Sequence, residues 1–167
     1  VRLSKWAAVA AVALVATTGC SVHPGAAAVV DGRTITQEYT QNASEDLGLD
    51  VGRTLSLLIA APYFIDAAEA NGVPVSPEDA RAAVEDMRTA NGGDAKAPIR
   101  AGAIEIMRLV LASQALSVLA DGAQIQSDTN AHVLGLKMDI NPRYGEMDLS
   151  SGLIARPPLP WIVPTDA

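Results

Sequence analysis

Few residues in this 167-residue chain stand at spacings that chemistry requires. Asp128 and His132 are four apart, which on a helix puts both on one face; that is the placement of an acid–base dyad and equally of an ordinary helix pair or cap. Glu45 with Asp46, and Glu85 with Asp86, are adjacent carboxylates that leave a helix in different directions, so they do not converge for paired acid and base work. Arg143 and Tyr144 have the chemistry to hold a carboxylate or a chain end. Their neighbours Asn141, Pro142 and Gly145 instead give the segment the character of a shaped turn with Tyr144 packed beneath it. His23 and His132 are far apart, Cys20 is the single Cys, and no nucleophile lies in a recognisable motif, so no disulfide, Cys-rich zinc site or catalytic residue is expected. No cofactor or metal is expected either.

The balance of charge narrows the partners. Nineteen acidic residues against 12 basic ones give a formal charge of −7, which opposes binding to a phosphate backbone and excludes nucleic acid as the expected partner. Aromatic residues make up only 4% of the chain and Ala is abundant, a composition suited to helices that pack closely.

Arg2 and Lys5 precede an apolar run from Trp6 to Ala16 that is too short for a stable membrane anchor and has the form of a secretory signal. Thr17, Thr18, Gly19 and Cys20 follow, and this sequence resembles the lipobox of bacterial lipoproteins. That pattern favours Leu three places before the Cys, where this chain has Thr17. The resemblance implies a signal peptide over residues 1–19, lipid on Cys20, a linker over 20–25, and attachment to the extracytoplasmic face of the cell membrane, or secretion where Cys20 is not lipidated. Losing Arg2 and Lys5 would leave 10 basic and 19 acidic residues on the mature chain. Its net charge would then repel anionic headgroups, and the acyl chains would supply the membrane attraction.

The rest of the pattern is a hairpin followed by helices. Ala26 to Val30 and Arg33 to Thr36 read as strands about an Asp31–Gly32 turn. Thr36 is placed to cap a helix from Gln37 to about Asp46, with Glu38 in its first turn. Apolar residues at helical spacing predict a second helix from Val51 to Ala70, kinked at Pro62. Ser76, Pro77, Glu78 and Asp79 form the sharpest helix start in the chain, and Asn91 and Gly92 end that helix. Pro98 is expected to open a long helix closed by Asp121 and Gly122. Ser127 is expected to cap a short one through Leu134. Leu136, Met138 and Ile140 then alternate with charged residues as a final strand. Residues 146–167 are expected to form an extended, Pro-rich tail that contains Trp161.

The segment AAVVDGRTITQEY, Ala27 to Tyr39, resembles the opening of the N-terminal chaperone domain of SurA-like and PrsA-like extracytoplasmic folding factors. NPRYG, Asn141 to Gly145, is similar to the closing segment of secreted actinobacterial members that lack an isomerase domain, in which a Trp near the end corresponds to Trp161. The resemblance implies a mainly α domain over residues 26–145: an N-terminal β-hairpin, a bundle of four to five helices, and a late strand that pairs with the first. It also implies a chaperone role. A parvulin isomerase domain needs roughly a hundred residues, and none fits after Gly135, so the expected protein is not an enzyme.

The residues expected to offer apolar surface to unfolded or partly folded secreted proteins are Leu55, Leu58, Ile59, Tyr63, Phe64, Met87, Met107 and Leu111. Methionine adapts to varied partners, and adjacent Tyr63 and Phe64 cannot both face fully inward. The alternative is an accessory lipoprotein of the cell envelope that binds one folded partner through a patch around Asn141 to Gly145 and Trp161. The oligomeric state is not legible.

Overall fold

The computed structural model describes residues 24–155. Its first element is a hairpin of β1 (Ala26–Val30) and β2 (Arg33–Thr36), joined by Asp31 and Gly32 at φ 47° and 83°. Two successive left-handed residues match the twist of an antiparallel pair, and the Asp-Gly sequence accommodates them. Thr36 then caps α1 (Gln37–Leu47), its hydroxyl accepting from the Tyr39 N–H at 3.0 Å. Asp50 caps α2 (Val51–Ala70) by accepting from the N–H groups of Gly52 and Arg53. Ser76 caps α3 (Pro77–Ala90), with Pro77 at the first helical position, where a missing N–H costs nothing.

The remaining elements are α4 (Ala101–Ser117), α5 (Gly122–Leu134), β3 (Met138–Ile140), β4 (Glu146–Asp148) and β5 (Leu153–Ala155). β3 pairs antiparallel with β1, placing Ala28 opposite Ile140 and Val30 opposite Met138, in a sheet of order β2-β1-β3. The fold is therefore mainly helical, with five helices, an N-terminal hairpin and a late strand closing on the first. Asn141 locks that closure: its N–H donates to the Ala27 carbonyl at 2.9 Å and its side-chain amide to the Ala26 carbonyl at 3.1 Å.

α2 is the axis of the core. It is 20 residues long with a mean hydropathy of 1.2, enough by composition to cross a membrane, yet here α1, α4, α5 and β5 pack around it. Leu55, Leu58 and Ile59 are fully buried with Val30, Ile35 and Ile106, and each such side chain contributes about 1.5–3 kcal/mol. One turn on, Phe64, Ile65 and Ala68 pack with Leu109, Ala112 and Leu116. Pro62 removes the N–H that the Leu58 carbonyl would otherwise accept from. Arg33 replaces it: Nη2 donates to the Leu58 oxygen at 2.7 Å, and Nη1 donates to Glu105 at 3.2 Å. The hairpin thus repairs the helix beneath it.

Four features differ from the sequence expectation, the first being the end of α4, which closes at Ser117 with Val118 as its cap rather than at Asp121 and Gly122. α4 starts at Ala101 rather than at Pro98, because Arg100 is held extended with its backbone N–H on the Asp46 carboxylate at 2.8 Å. α5 starts at Gly122, without a side-chain cap, five residues before Ser127. Gly122 is required there because a Cβ would collide with the Leu116 carbonyl. Finally, residues 146–155 are not an extended tail. They form the β4–β5 hairpin, whose Ile154 is buried against α2 and whose Ile154 N–H donates to the Ser56 hydroxyl at 2.8 Å.

Candidate functional site

An open hollow of about 560 Å³ lies over the Asp46, Arg88 and Arg100 cluster, and a smaller, less open apolar concavity of about 390 Å³ lies between α2, α4, α5 and the β4–β5 turn. Ser56, Leu57, Ala60 and Phe64 of α2 form its floor, Leu109 of α4 one wall, and Asn130, Val133 and Leu134 of α5 the other. Ser150, Ser151, Gly152 and Leu153 form a rim. Ala60 contributes only a methyl to this floor, between Leu57 and Phe64 one turn to either side. Ser56 fixes the rim in place by accepting from Ile154 and donating to the Gly52 carbonyl at 3.1 Å. Gly52 permits this approach, since a Cβ there would meet the Ile154 oxygen at 3.1 Å. Leu153, 44% exposed, carries the apolar lining to the surface, and Leu149, 65% exposed, stands in the turn that joins β4 to β5.

The rim carries an ionised group. Asp148 accepts from the hydroxyl and backbone N–H of Ser150 and from the hydroxyl of Ser151, and those bonds pull its carboxyl down to about 2. Two other charged clusters are fully partnered and sit away from the groove. Burial of Asp46 opposes its ionisation, but hydrogen bonds from Arg100 and the nearby Arg88 outweigh it, so the carboxyl lies below its ordinary value. Tyr39 donates to Glu105 at 2.6 Å, and burial followed by that bond raises the phenol.

Of the residues expected to face a client, Leu55, Leu58 and Ile59 are corrected to core. They occupy the side of α2 that the sheet and α4 cover, and none reaches solvent. Phe64 lines the groove, although only 6% of it is exposed. Tyr63 is half-buried, its ring edge-on to His132 with centroids 5.3 Å apart. Met87, Met107 and Leu111 are half-buried and do not line the groove. Sequence reasoning missed Leu57, Ala60, Val133, Leu134 and Leu153: the packing of α5 on α2 brings the first four together, and the β4–β5 hairpin adds Leu153 by folding back over them.

The Asn141–Gly145 segment is a structural clasp. Tyr144 is buried, its N–H donates to the Asn141 carbonyl at 2.9 Å, and Arg143 donates to Gln37 at 2.8 Å while its guanidinium lies 5.7 Å from the Tyr144 ring centroid. Pro142 is exposed and its carbonyl accepts from Gly145, which turns at φ 110°. These contacts leave Tyr144 unavailable as partner surface. Cys20 and Trp161 lie outside the described residues. Among the described residues, no group of three or more His, Cys, Asp or Glu is placed to hold a metal. Asp128 accepts from Gln124, and His132 leans on Tyr63. Comparison with protein-family models, curated proteins and solved structures finds no match.

Proposed function

We propose that this protein works outside the cytoplasm, tethered through Cys20, as a chaperone-like binder of unfolded or extended polypeptides without catalysis or cofactor. The observation that carries the reading is the apolar groove over Ala60, whose rim includes the exposed Leu153. Its volume of about 390 Å³ suits a few side chains of an extended segment, and its polar rim leaves a peptide backbone hydrogen-bonding atoms to meet. The closure of β3 on β1 supports the same reading, being the arrangement that the resemblance to the SurA-like and PrsA-like chaperone domain implies. The accessory-subunit alternative loses support at Tyr144, which is buried.

Residues 21–167, purified and shown to be folded, are expected to suppress the aggregation of a chemically unfolded, unrelated protein at equimolar amounts or below, read by light scattering. Leu134→Ser with Leu153→Ser is expected to reduce that suppression. Absence of suppression would favour the accessory lipoprotein with one folded partner.

A further inference from the structure

The groove has an end whose polarity is one-sided. Ser150 and Ser151 both turn their hydroxyl protons onto Asp148, at 2.7 and 2.8 Å, so what they present elsewhere is oxygen lone pairs. Ser151 Oγ also accepts from the Leu153 N–H at 3.3 Å. The same three-way hydrogen bonding keeps the Asp148 carboxyl ionised. The C-terminal turn of α5 lies beside this rim: a Cβ on Gly152 would stand 3.9 Å from Leu134 Cδ2. A helix C-terminus carries the negative end of the macrodipole. No Lys or Arg lines the groove, and the Lys137 backbone, past the end of α5, is held at the β1–β2 turn by the Asp31 N–H. Residues 24–155 also hold 18 acidic and 9 basic side chains, a field that draws cationic segments and repels anionic ones.

We infer that the groove selects an extended polypeptide whose apolar side chains lie over Ala60 and whose adjacent Lys or Arg sits at the Asp148 end. This specificity rests on the groove being a polypeptide site. An apolar segment flanked by Glu would bring like charge to a rim of acceptors. A Lys or Arg there donates to oxygens that have no remaining protons to offer.

The test uses two fluorescein-labelled peptides with the same apolar centre, one flanked by Lys and one by Glu, titrated by anisotropy against residues 21–167. The Lys-flanked peptide is expected to bind about tenfold more tightly at low salt, and the difference to shrink at high salt. Asp148→Asn retains a side-chain oxygen for Ser150 and is expected to bring the two affinities together, while Leu153→Ser weakens both. Equal affinities for the unmodified protein overturn the charge preference and leave the groove reading standing. Binding of neither peptide overturns both. Self-association that Leu153→Ser abolishes, with neither peptide bound, makes the occupant a second copy of the chain.

Discussion

The two ends of α4 are built on different terms. At its N-terminal end, Arg100 reaches Asn42, Glu45 and Asp46 of α1, and Arg88 of α3 reaches Asp46 and the Ala97 carbonyl. Gly102 lets α1 approach so closely that a Cβ would stand 2.9 Å from the Ala43 methyl. Glu105 then takes Tyr39 on one oxygen and Arg33 on the other. At the C-terminal end, Leu109 faces the groove, Val118 is 82% exposed, and α5 begins without a side-chain cap. A hydrogen bond from Gln126 to the Ser113 carbonyl, at 3.3 Å, crosses between the two helices there. The difference separates a stiff frame, where charged side chains meet several partners, from a seam held by apolar contact. A seam of that kind can reshape around a ligand while the frame keeps its register.

The largest expected effect comes from breaking the frame at Asp46. Its side chain is only 6% exposed, and it joins α1, α3 and the residue that precedes α4. Asp46→Ala leaves the Arg100 N–H and guanidinium short of an acceptor and Arg88 without its neighbouring carboxylate, and is expected to cost about 2–3 kcal/mol, below the figure for a fully buried pair because solvent reaches the Arg100 side. The denaturation midpoint should fall with the slope unchanged. Peptide affinity of the folded fraction should stay constant. A fall in affinity as large as the fall in stability would show that the frame and the seam are not separate.

Arg33→Leu sharpens the comparison with a smaller loss. The substitution keeps apolar contact but leaves the Leu58 carbonyl, freed by Pro62, without its donor and removes one partner of Glu105. A cost of about 1.5–2 kcal/mol is expected, again by denaturant titration. Restoring an N–H with Pro62→Ala in the same chain should recover part of it, because the Leu58 carbonyl then has its helical donor. No recovery would mean that Arg33 acts through Glu105 alone.

The frame was partly legible in the sequence, and the seam was not. Asp31–Gly32, Thr36 and Ser76–Pro77 act through neighbours a few residues away, so local chemistry specifies them wherever the chain folds. The 138–140 strand was readable because alternation survives even in a short segment. Asp46 instead steadies the start of α4 from 54 residues away, a tie that no local pattern records. β4 and β5 are no shorter than β3, but β5 is apolar at all three of its positions and shows no alternation, so the hairpin, and the groove that it completes, stayed hidden. The same reasoning explains the misplaced client surface: bulky apolar residues on α2 mark the core first, and a groove needs a small residue, Ala60, between them.

The smallest effect is local to the hairpin and follows from Asp148. Its folded carboxyl titrates at about 2 against an ordinary 3.8, so the hairpin turn is fully supported above pH 3.8 and loses that support as pH falls toward 2. Protonation leaves Ser150 and Ser151 facing a weaker acceptor and frees the turn that carries Leu149 and Leu153. Hydrogen exchange at the Ile154 and Gly152 amides, which donate to Ser56 and to the Asp148 carbonyl, should quicken across that window relative to amides of α2. Asp46 also lies below its ordinary value, so the frame weakens in acid too, and only a variant separates the contributions. Asp148→Asn should remove the hairpin's extra acid sensitivity while leaving that of α2 unchanged. Parallel loss at both amides and in α2, with or without the substitution, would mean that the hairpin opens only when the whole fold does.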